Sequence, residues 1–179
     1  MKNIALTGYM GSGKNTVADY LSANYGYTQI AFADALKRYA QELFPDQFYN
    51  GKPRELLQRF GQMMRELDPY VWINQLSERI NQRSDVDRWV ITDLRQPNEC
   101  EYCRAKGFVI IRVNCPLQIR LERLRERGDN FDFDTLRHET ESYVNTFDVD
   151  YEIDNSGLWR DMAEQVDVIM QEIKGESKW

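Results

Sequence analysis

The segment GYMGSGKNT, residues 8–16, combines three glycines with one lysine. Gly8, Gly11 and Gly13 allow the backbone to curl so that successive N–H groups can point at phosphate oxygens. Lys14 would add a full positive charge beside the β- and γ-phosphates of a nucleoside triphosphate. The predicted phosphate-binding residues are Gly8, Gly11, Ser12, Gly13, Lys14, Asn15 and Thr16.

Three oxygen-bearing side chains are candidate magnesium ligands. Asn15 stands where a hydroxyl residue usually follows the loop lysine and ligates Mg²⁺, and a carboxamide oxygen can bind the metal or one of its waters. The Thr16 hydroxyl is adjacent. Asp93 lies in the apolar segment WVITDL at 89–94, and an acid at such a strand end typically orients Mg²⁺ or its waters. An acid that only caps the following turn is the alternative for Asp93.

An arginine-rich segment predicts residues that act on the transferred phosphoryl group. Arg120, Arg123 and Arg127 are spaced three and four residues apart, so a helix over 117–127 places them on one face. Together with Lys14 they are the candidate catalytic residues, because cations stabilise charge that develops on phosphoryl oxygens. The alternative is a charged helix face that is merely solvated.

Five other polar residues are candidates for binding an acceptor. Asp34 and Lys37 are one helical turn apart in FADALK, and Arg95 follows a predicted strand. Ligands of open α/β sheets bind at the carboxyl ends of strands, where Arg95 is expected. Arg54 and Arg65 lie on predicted helices, and a guanidinium can bind phosphate bidentately. A surface ion pair or a structural role is the alternative for these cations.

These residues need a scaffold of alternating strands and helices. Segments rich in apolar residues predict strands at 3–7, 28–33, 89–94 and 108–115, and YEID predicts a short last strand at 151–154. Helical spacing and prolines predict helices from the loop to Gly26, over 36–44, after Pro53, after Pro69, after Pro97, over 117–127 and over 158–173. The apolar residues expected on their inner faces include Leu43, Phe44, Leu67 and Trp159. This alternation predicts an α/β fold, a three-layer sandwich with a five-stranded parallel sheet.

The predicted helices also suggest how one domain is subdivided. Three helices separate the second and third strands, more than one crossover requires, so 34–83 is expected to form an acceptor-binding helical lobe. The core is then 1–33, 84–117 and 150–175. The acidic, weakly patterned segment 128–150 is expected to be the mobile edge of a lid that spans 118–149.

Composition narrows the classes of partner. The 179 residues carry a net charge of −6, which argues against a broad nucleic-acid surface. Neither a membrane span nor the core of a signal peptide is evident, so a cytoplasmic location is expected. Cys100 and Cys103 form one CxxC pair on a predicted helix without a second pair, and we expect partly buried thiols rather than a metal or redox site. The sequence leaves open whether the protein forms a homodimer.

Several stretches of the chain resemble one family of enzymes. They are GSGKNTVADYL (11–21), FADALK (32–37), RELLQRFGQMMRELDPYVW (54–72), ITDLRQPNE (91–99) and IDNSG (153–157). They resemble the P-loop nucleoside monophosphate kinases, and more closely the phage- and bacterial-type deoxynucleoside monophosphate kinases, where an acidic or amidic residue often follows the loop lysine. The resemblance implies ATP with Mg²⁺ as the phosphoryl donor, a deoxynucleoside monophosphate as the small-molecule acceptor, and Arg95 as an acceptor contact.

Two other functions remain open from the sequence. A kinase with an alcohol acceptor, dephospho-coenzyme A kinase being the nearest, would use Asp34 as a general base. A monophosphate acceptor is already ionised and needs no base, so positioning and charge neutralisation would suffice. The second alternative is a nucleotide-binding switch or ATPase that acts on a protein partner. Such proteins usually pair Asp with Glu, whereas Asp93 is followed by Leu94.

Overall fold

A computed structural model describes residues 2–49, 51–128 and 143–176. It contains a five-stranded sheet in the order β2-β3-β1-β4-β5. The strands are β1 (Ile4–Thr7), β2 (Thr28–Ile30), β3 (Trp89–Leu94), β4 (Val109–Asn114) and β5 (Tyr151–Asp154). The pairs β1–β3, β1–β4 and β4–β5 are parallel. The predicted five-stranded parallel sheet is therefore confirmed.

The helices alternate with these strands. They are α1 (Lys14–Tyr25), α2 (Ala33–Leu43), α3 (Arg54–Leu67), α4 (Val71–Asn81), α5 (Pro97–Ala105), α6 (Leu117–Glu126) and α7 (Trp159–Glu176), with a short 3-10 helix at Pro45–Phe48. Helix α1 ends at Gly26, whose φ of 68° is left-handed and whose N–H donates to the Ser22 carbonyl at 3.2 Å.

The chain separates into two compact units, one formed by 1–29 with 87–179 and the other by 30–86. The first unit holds the sheet. Strand β1 is fully buried, and Ile4 pairs with Val90 on one side and Val109 on the other. Apolar side chains of α1 and α7 pack with the sheet in one core cluster. Parallel pairing brings the carboxyl ends of β1, β3 and β4 to one edge, directly before the glycine-rich loop.

The second unit, residues 30–86, is built from α2, α3 and α4. The Trp72 indole donates a hydrogen bond to the Gly61 carbonyl at 3.2 Å, and its ring lies 6.1 Å from that of Phe60. A Cβ on Gly61 would lie 2.5 Å from Leu36 Cδ1, so this glycine allows α2 to approach α3 closely. The predicted limits of the acceptor lobe, 34–83, and of the lid, 118–149, stay predictions, and residues 129–142 of that lid lie outside the described residues.

Some local predictions were wrong. The strand predicted over 28–33 ends at Ile30, because the Asp34 carboxylate accepts the Ala31 N–H at 3.1 Å and the chain turns into α2. Trp159 was expected to face inward but is 61% exposed, with its ring edge-on to Tyr20 at 5.6 Å. Three apolar residues expected on inner helix faces are also exposed, namely Leu43, Phe44 and Leu67. They lie at or just beyond helix ends, where the packed face runs out.

Within the described part of the chain, none of the helices has the length and apolar character that crossing a membrane would require.

Candidate active site

The glycine-rich segment 8–16, hereafter the glycine loop, connects the end of β1 to the start of α1. Gly8, Gly11 and Gly13 have φ angles of 146°, 80° and 95°, which side chains other than hydrogen rarely allow. A Cβ on Gly8 would lie 2.5 Å from the Val113 carbonyl oxygen of β4. The loop therefore needs glycine both for its curvature and for its close approach to the neighbouring strand.

Lys14 is the first residue of α1, and its side chain turns back over the loop. Its ammonium donates to the carbonyl oxygens of Gly8 at 2.5 Å and Tyr9 at 3.1 Å. The residue is buried. These contacts hold a positive charge inside the curve of the loop, next to the amino end of a helix whose dipole also favours anions.

Helix α6 lies directly against the glycine loop. A Cβ on Gly11 would meet the Arg120 carbonyl oxygen at 2.9 Å. Arg120 Nη1 donates to the Met10 carbonyl at 3.3 Å, and its guanidinium lies 4.7 Å from the centre of the Tyr9 ring. The Nε of Arg120 is buried and has no hydrogen-bond partner among the described residues. Arg120 is thus held at the glycine loop, and its Nε–H group remains available to donate a hydrogen bond.

The other two predicted arginines lie further along α6. Arg123 Nη1 is 3.5 Å from the Cys115 sulfur and would be 3.7 Å from a Cβ on Gly13, so it also reaches the loop. Arg127 follows the last turn, where its N–H donates to the Arg123 carbonyl, and its side chain is exposed. The structure brings two of the three arginines to the loop and leaves the third at the solvent-exposed end of the helix.

Oxygen donors collect at the same edge of the sheet. Asn15 and Thr16 occupy the first turn of α1 and are exposed, and Asp93 lies near the end of β3, the strand next to β1. The buried hydroxyls of Thr7 and Ser12 have no hydrogen-bond partner among the described residues. Amide, hydroxyl and carboxylate oxygens are ligands that suit Mg²⁺, so this donor set fits the ion that the sequence predicts.

Arg95 follows β3 in a turn held by a buried carboxylate. Glu99 Oε2 accepts the backbone N–H groups of Arg95 at 2.9 Å and Gln96 at 3.0 Å. Glu99 and Gln96 also complete a reciprocal cap at the start of α5. Glu99 therefore fixes the backbone of the turn that carries Arg95.

The remaining acceptor candidates belong to the helical unit. Asp34 Oδ2 accepts a hydrogen bond from Arg79 Nη1 at 3.1 Å, and its other oxygen is 4.0 Å from the Lys37 ammonium. Arg54 begins α3, and Arg65 Nη1 would lie 3.4 Å from a Cβ on Gly61. A surface groove of about 690 Å³ is lined by Asp34, Lys37, Arg38, Gln41, Glu42, Pro45 and Arg79.

The three cysteines of the sheet-containing unit, Cys100, Cys103 and Cys115, are free thiols. Burial raises the pKa of Cys103, which is fully enclosed, and desolvation also raises the pKa of Cys115 although Arg123 and Arg120 oppose the shift. A thiol with a raised pKa is a poor nucleophile at neutral pH. The fold therefore disfavours the thiolate form of Cys103 and Cys115 at neutral pH.

Two residues at the loop were missed from the sequence. Asn155 follows β5, and its Nδ2 donates to the Ser12 carbonyl at 2.8 Å in a buried hydrogen bond. Tyr9 supports Arg120 through its ring. Asn155 belongs to IDNSG, one of the stretches that carries the family resemblance, and this was the only signal for it. No local pattern indicated Tyr9, and Arg79 beside Asp34 was likewise not anticipated.

Comparison with known proteins bears on this arrangement. A family model described as "AAA domain" matches residues 4–143. The chain belongs to this family. Its glycine loop and parallel sheet are those of a P-loop kinase domain, and solved kinases share this fold. The family expected from the sequence is thus confirmed.

The proteins that this chain is similar to are named for different substrates. A protein of Acanthamoeba polyphaga mimivirus named "Putative deoxynucleotide monophosphate kinase" is 29% identical over 146 residues, 63% of this chain and 74% of the relative. Shikimate kinase from Acinetobacter baumannii, solved with shikimate, has a TM-score of 0.63 at 20% identity, with 100% of this chain and 96% of that one covered. Deoxyadenosine kinase from M. mycoides, solved with dCMP and dCDP, has a TM-score of 0.56 at 15% identity, covering 98% and 100%. At these identities the structures establish the fold alone.

Proposed function

We propose that this P-loop kinase transfers the γ-phosphoryl group of ATP to the 5′-phosphate of a nucleoside or deoxynucleoside monophosphate, which yields ADP and the diphosphate. The observation that carries the proposal is the placement of Lys14, Arg120 and Arg123 around one glycine loop. Three cations at a loop suited to phosphate match a reaction in which charge neutralisation supplies most of the catalysis. The name of the mimivirus relative supports a monophosphate as the acceptor.

The donor phosphates would be held by the glycine loop. The backbone N–H groups of residues 8–16 and the Lys14 ammonium suit the triphosphate, and the amino end of α1 adds its dipole. Asn15, Thr16 and Asp93 are the residues that would hold Mg²⁺, directly or through water. When bound, Mg²⁺ neutralises charge on the phosphate oxygens.

The chain's own residues then position the reactants and stabilise charge. The phosphate oxygen of a monophosphate is already ionised at neutral pH, so no residue has to remove a proton from it. Lys14, Arg120 and Arg123 would stabilise the transferred group, and Arg127 is proposed to join them. Acceptor binding is assigned to Asp34, Lys37, Arg54, Arg65 and Arg95.

Asp34 is relevant to the alternative with an alcohol acceptor. A general base must lie within hydrogen-bond reach of the substrate proton that it removes. In the helical unit, Asp34 already accepts hydrogen bonds from Arg79 Nη1 and from the Ala31 N–H, and Lys37 is near its other oxygen. This set of partners supports a role in organising the start of α2 and in placing cations, and the variant Asp34→Asn below separates that role from a role as a base.

The test is a coupled assay with ATP, Mg²⁺ and a panel of ribo- and deoxynucleoside monophosphates, with shikimate, gluconate and dephospho-coenzyme A as competing acceptor classes. We expect at least one monophosphate to be the preferred acceptor. Lys14→Ala should abolish transfer, whereas Lys106→Ala, an exposed lysine after α5, should not. Turnover close to normal in Lys14→Ala would refute the assignment of the loop.

Other outcomes would favour the alternatives. Transfer only to an alcohol, with a steep loss of kcat in Asp34→Asn, would indicate a kinase that uses Asp34 as a base. In a monophosphate kinase the same variant should change mainly the KM of the acceptor. Rapid formation of ADP without any acceptor would favour an ATPase or switch.

A further inference from the structure

The glycine loop is tied to a segment far away in the sequence. Asn155 lies just after β5, and its Nδ2 donates to the Ser12 carbonyl at 2.8 Å. The Asn155 side chain is buried, and a Cβ on Gly13 would clash with its Nδ2. The amide group of Asn155 thus packs directly on the Ser12–Gly13 peptide.

The hydrogen bond determines which way this peptide faces. The chain has no cis peptide bond in its described part, so the carbonyl of Ser12 and the N–H of Gly13 point in opposite directions. While Asn155 holds the Ser12 carbonyl on its own side, the Gly13 N–H must point to the other side. Gly13 has no side chain to resist a peptide flip, so this orientation depends on an external contact.

Other contacts orient the rest of the loop in the same manner. Lys14 binds the carbonyls of Gly8 and Tyr9, and Arg120 binds that of Met10. Among these loop carbonyls, that of Ser12 is held by a neutral side chain from outside the loop and outside α6. Asn155 therefore completes a set of donors that hold the loop carbonyls.

Asn155 is itself held firmly. Its backbone N–H donates to the Asn114 carbonyl at 2.9 Å, which extends the β4–β5 pairing by one residue. The Gln165 side chain brackets the preceding residue, accepting the Asp154 N–H and donating to the Asp154 carbonyl, both at 2.9 Å. The Asn155 side chain is thus presented from a fixed backbone, as a positioning residue must be.

We propose that Asn155 is a positioning residue for ATP, which fixes the Ser12–Gly13 peptide so that the Gly13 N–H faces the donor phosphates. The proposal rests on the proposed function only in that the glycine loop binds ATP, and not on the identity of the acceptor. Without Asn155, the buried Ser12 carbonyl would lack its donor, and the peptide could turn toward another partner. The loss should appear in ATP affinity.

The proposal is tested by measuring the equilibrium binding of ATP and, separately, of the preferred monophosphate. The full chain is compared with two variants at Asn155 and with one control variant at Tyr27. Asn155→Ala removes the amide, and Asn155→Leu removes it while keeping a side chain of similar size. We expect ATP to bind about tenfold more weakly in both, with the KM for ATP raised by a similar factor. Affinity for the monophosphate and kcat at saturating ATP should change much less.

Tyr27→Phe is the matched control, because the Tyr27 hydroxyl is another donor from a buried side chain to a backbone carbonyl, that of Lys2 at 2.8 Å. It should lower stability without weakening ATP binding. Equal ATP affinity in the wild type and Asn155→Leu, or equal losses in Asn155→Leu and Tyr27→Phe, would overturn the proposal. So would a wild-type chain that does not bind ATP. ATP binding that depends on Asn155, without transfer to any monophosphate, would support this proposal and reject the proposed function.

Discussion

Arg120 of α6 lies across the ring of Tyr9, with its guanidinium 4.7 Å from the ring centre. The same guanidinium donates to the Met10 carbonyl, and its buried Nε has no partner among the described residues. A cation–π contact positions the guanidinium without consuming its hydrogen-bond donors. Arg120 is therefore oriented at the glycine loop before any substrate arrives.

Replacing Arg120 by lysine should separate charge from orientation. Arg120→Lys keeps a positive charge but loses the planar group that lies over Tyr9 and donates to the Met10 carbonyl. We expect kcat to fall about 10²-fold, with a smaller change in the KM for ATP, because a misplaced cation stabilises the transition state poorly. Steady-state kinetics with the preferred acceptor measure both. Arg125→Lys on the exposed side of α6 is the control, and equal effects in the two variants would contradict this role for Arg120.

Replacing Gly11 by alanine should lower the free energy of unfolding by more than its backbone φ angle alone predicts. Gly11 and Gly107 have similar φ angles, 80° and 72°, but a Cβ on Gly11 would meet the Arg120 carbonyl at 2.9 Å, whereas one on Gly107 would meet nothing within 4 Å. Gly107→Ala should therefore cost only the left-handed strain, about 1–2 kcal/mol. Gly11→Ala should lose a further ~1–3 kcal/mol, because α6 must shift.

Urea unfolding of the two glycine variants measures the difference in the free energy of unfolding. Gly11→Ala should also weaken ATP binding, since the displaced helix carries Arg120 and Arg123. Equal destabilisation in both variants would show that α6 does not press against the loop in solution.

Much of the fold could be predicted because its signals are local. The strands at 89–94 and 151–154 were predicted with the observed limits, and polar residues flank each of them. The strand predicted at 28–33 was too long because Phe32 is buried, as a strand residue would be. Phe32 instead lies at the start of α2. Trp159 has helical spacing with the buried face of α7, but its ring packs on Tyr20 at the end of that face.

The residues of the candidate site were also predictable only in part. The glycine loop and Lys14 were predictable because their function requires residues that are adjacent in sequence. Asn155 and Ser12 are 143 positions apart, and only the parallel pairing of β4 with β5 brings the segment after β5 to the loop. The contact between Tyr9 and Arg120 likewise depends on where α6 lands on the loop, which the spacing of arginines does not determine.

Alkaline pH should destabilise the fold through buried groups that must stay protonated. Burial raises the pKa of the Cys103 thiol, and it raises the pKa of Tyr27 to about 12. In the unfolded chain these groups ionise near their ordinary values, about 8.5 for a thiol and about 10 for a phenol. Between the unfolded and folded pKa values the unfolded state binds fewer protons, so stability falls as pH rises. Below about pH 8.5 the contribution of Cys103 is fully present.

The free energy of unfolding in urea, measured from pH 7.5 to 10.5, checks this expectation. Each buried group contributes at most about 1.4 kcal/mol per pH unit within its window. Cys103→Ala should be less stable at pH 7.5, because a buried side chain is truncated, but should lose less with pH between about 8.5 and 10. Tyr27→Phe should differ from the wild type in its slope only above about pH 10, where a phenol in the unfolded chain ionises. If the wild type and Cys103→Ala lose stability in parallel between pH 8.5 and 10, the thiol is not kept protonated by the fold.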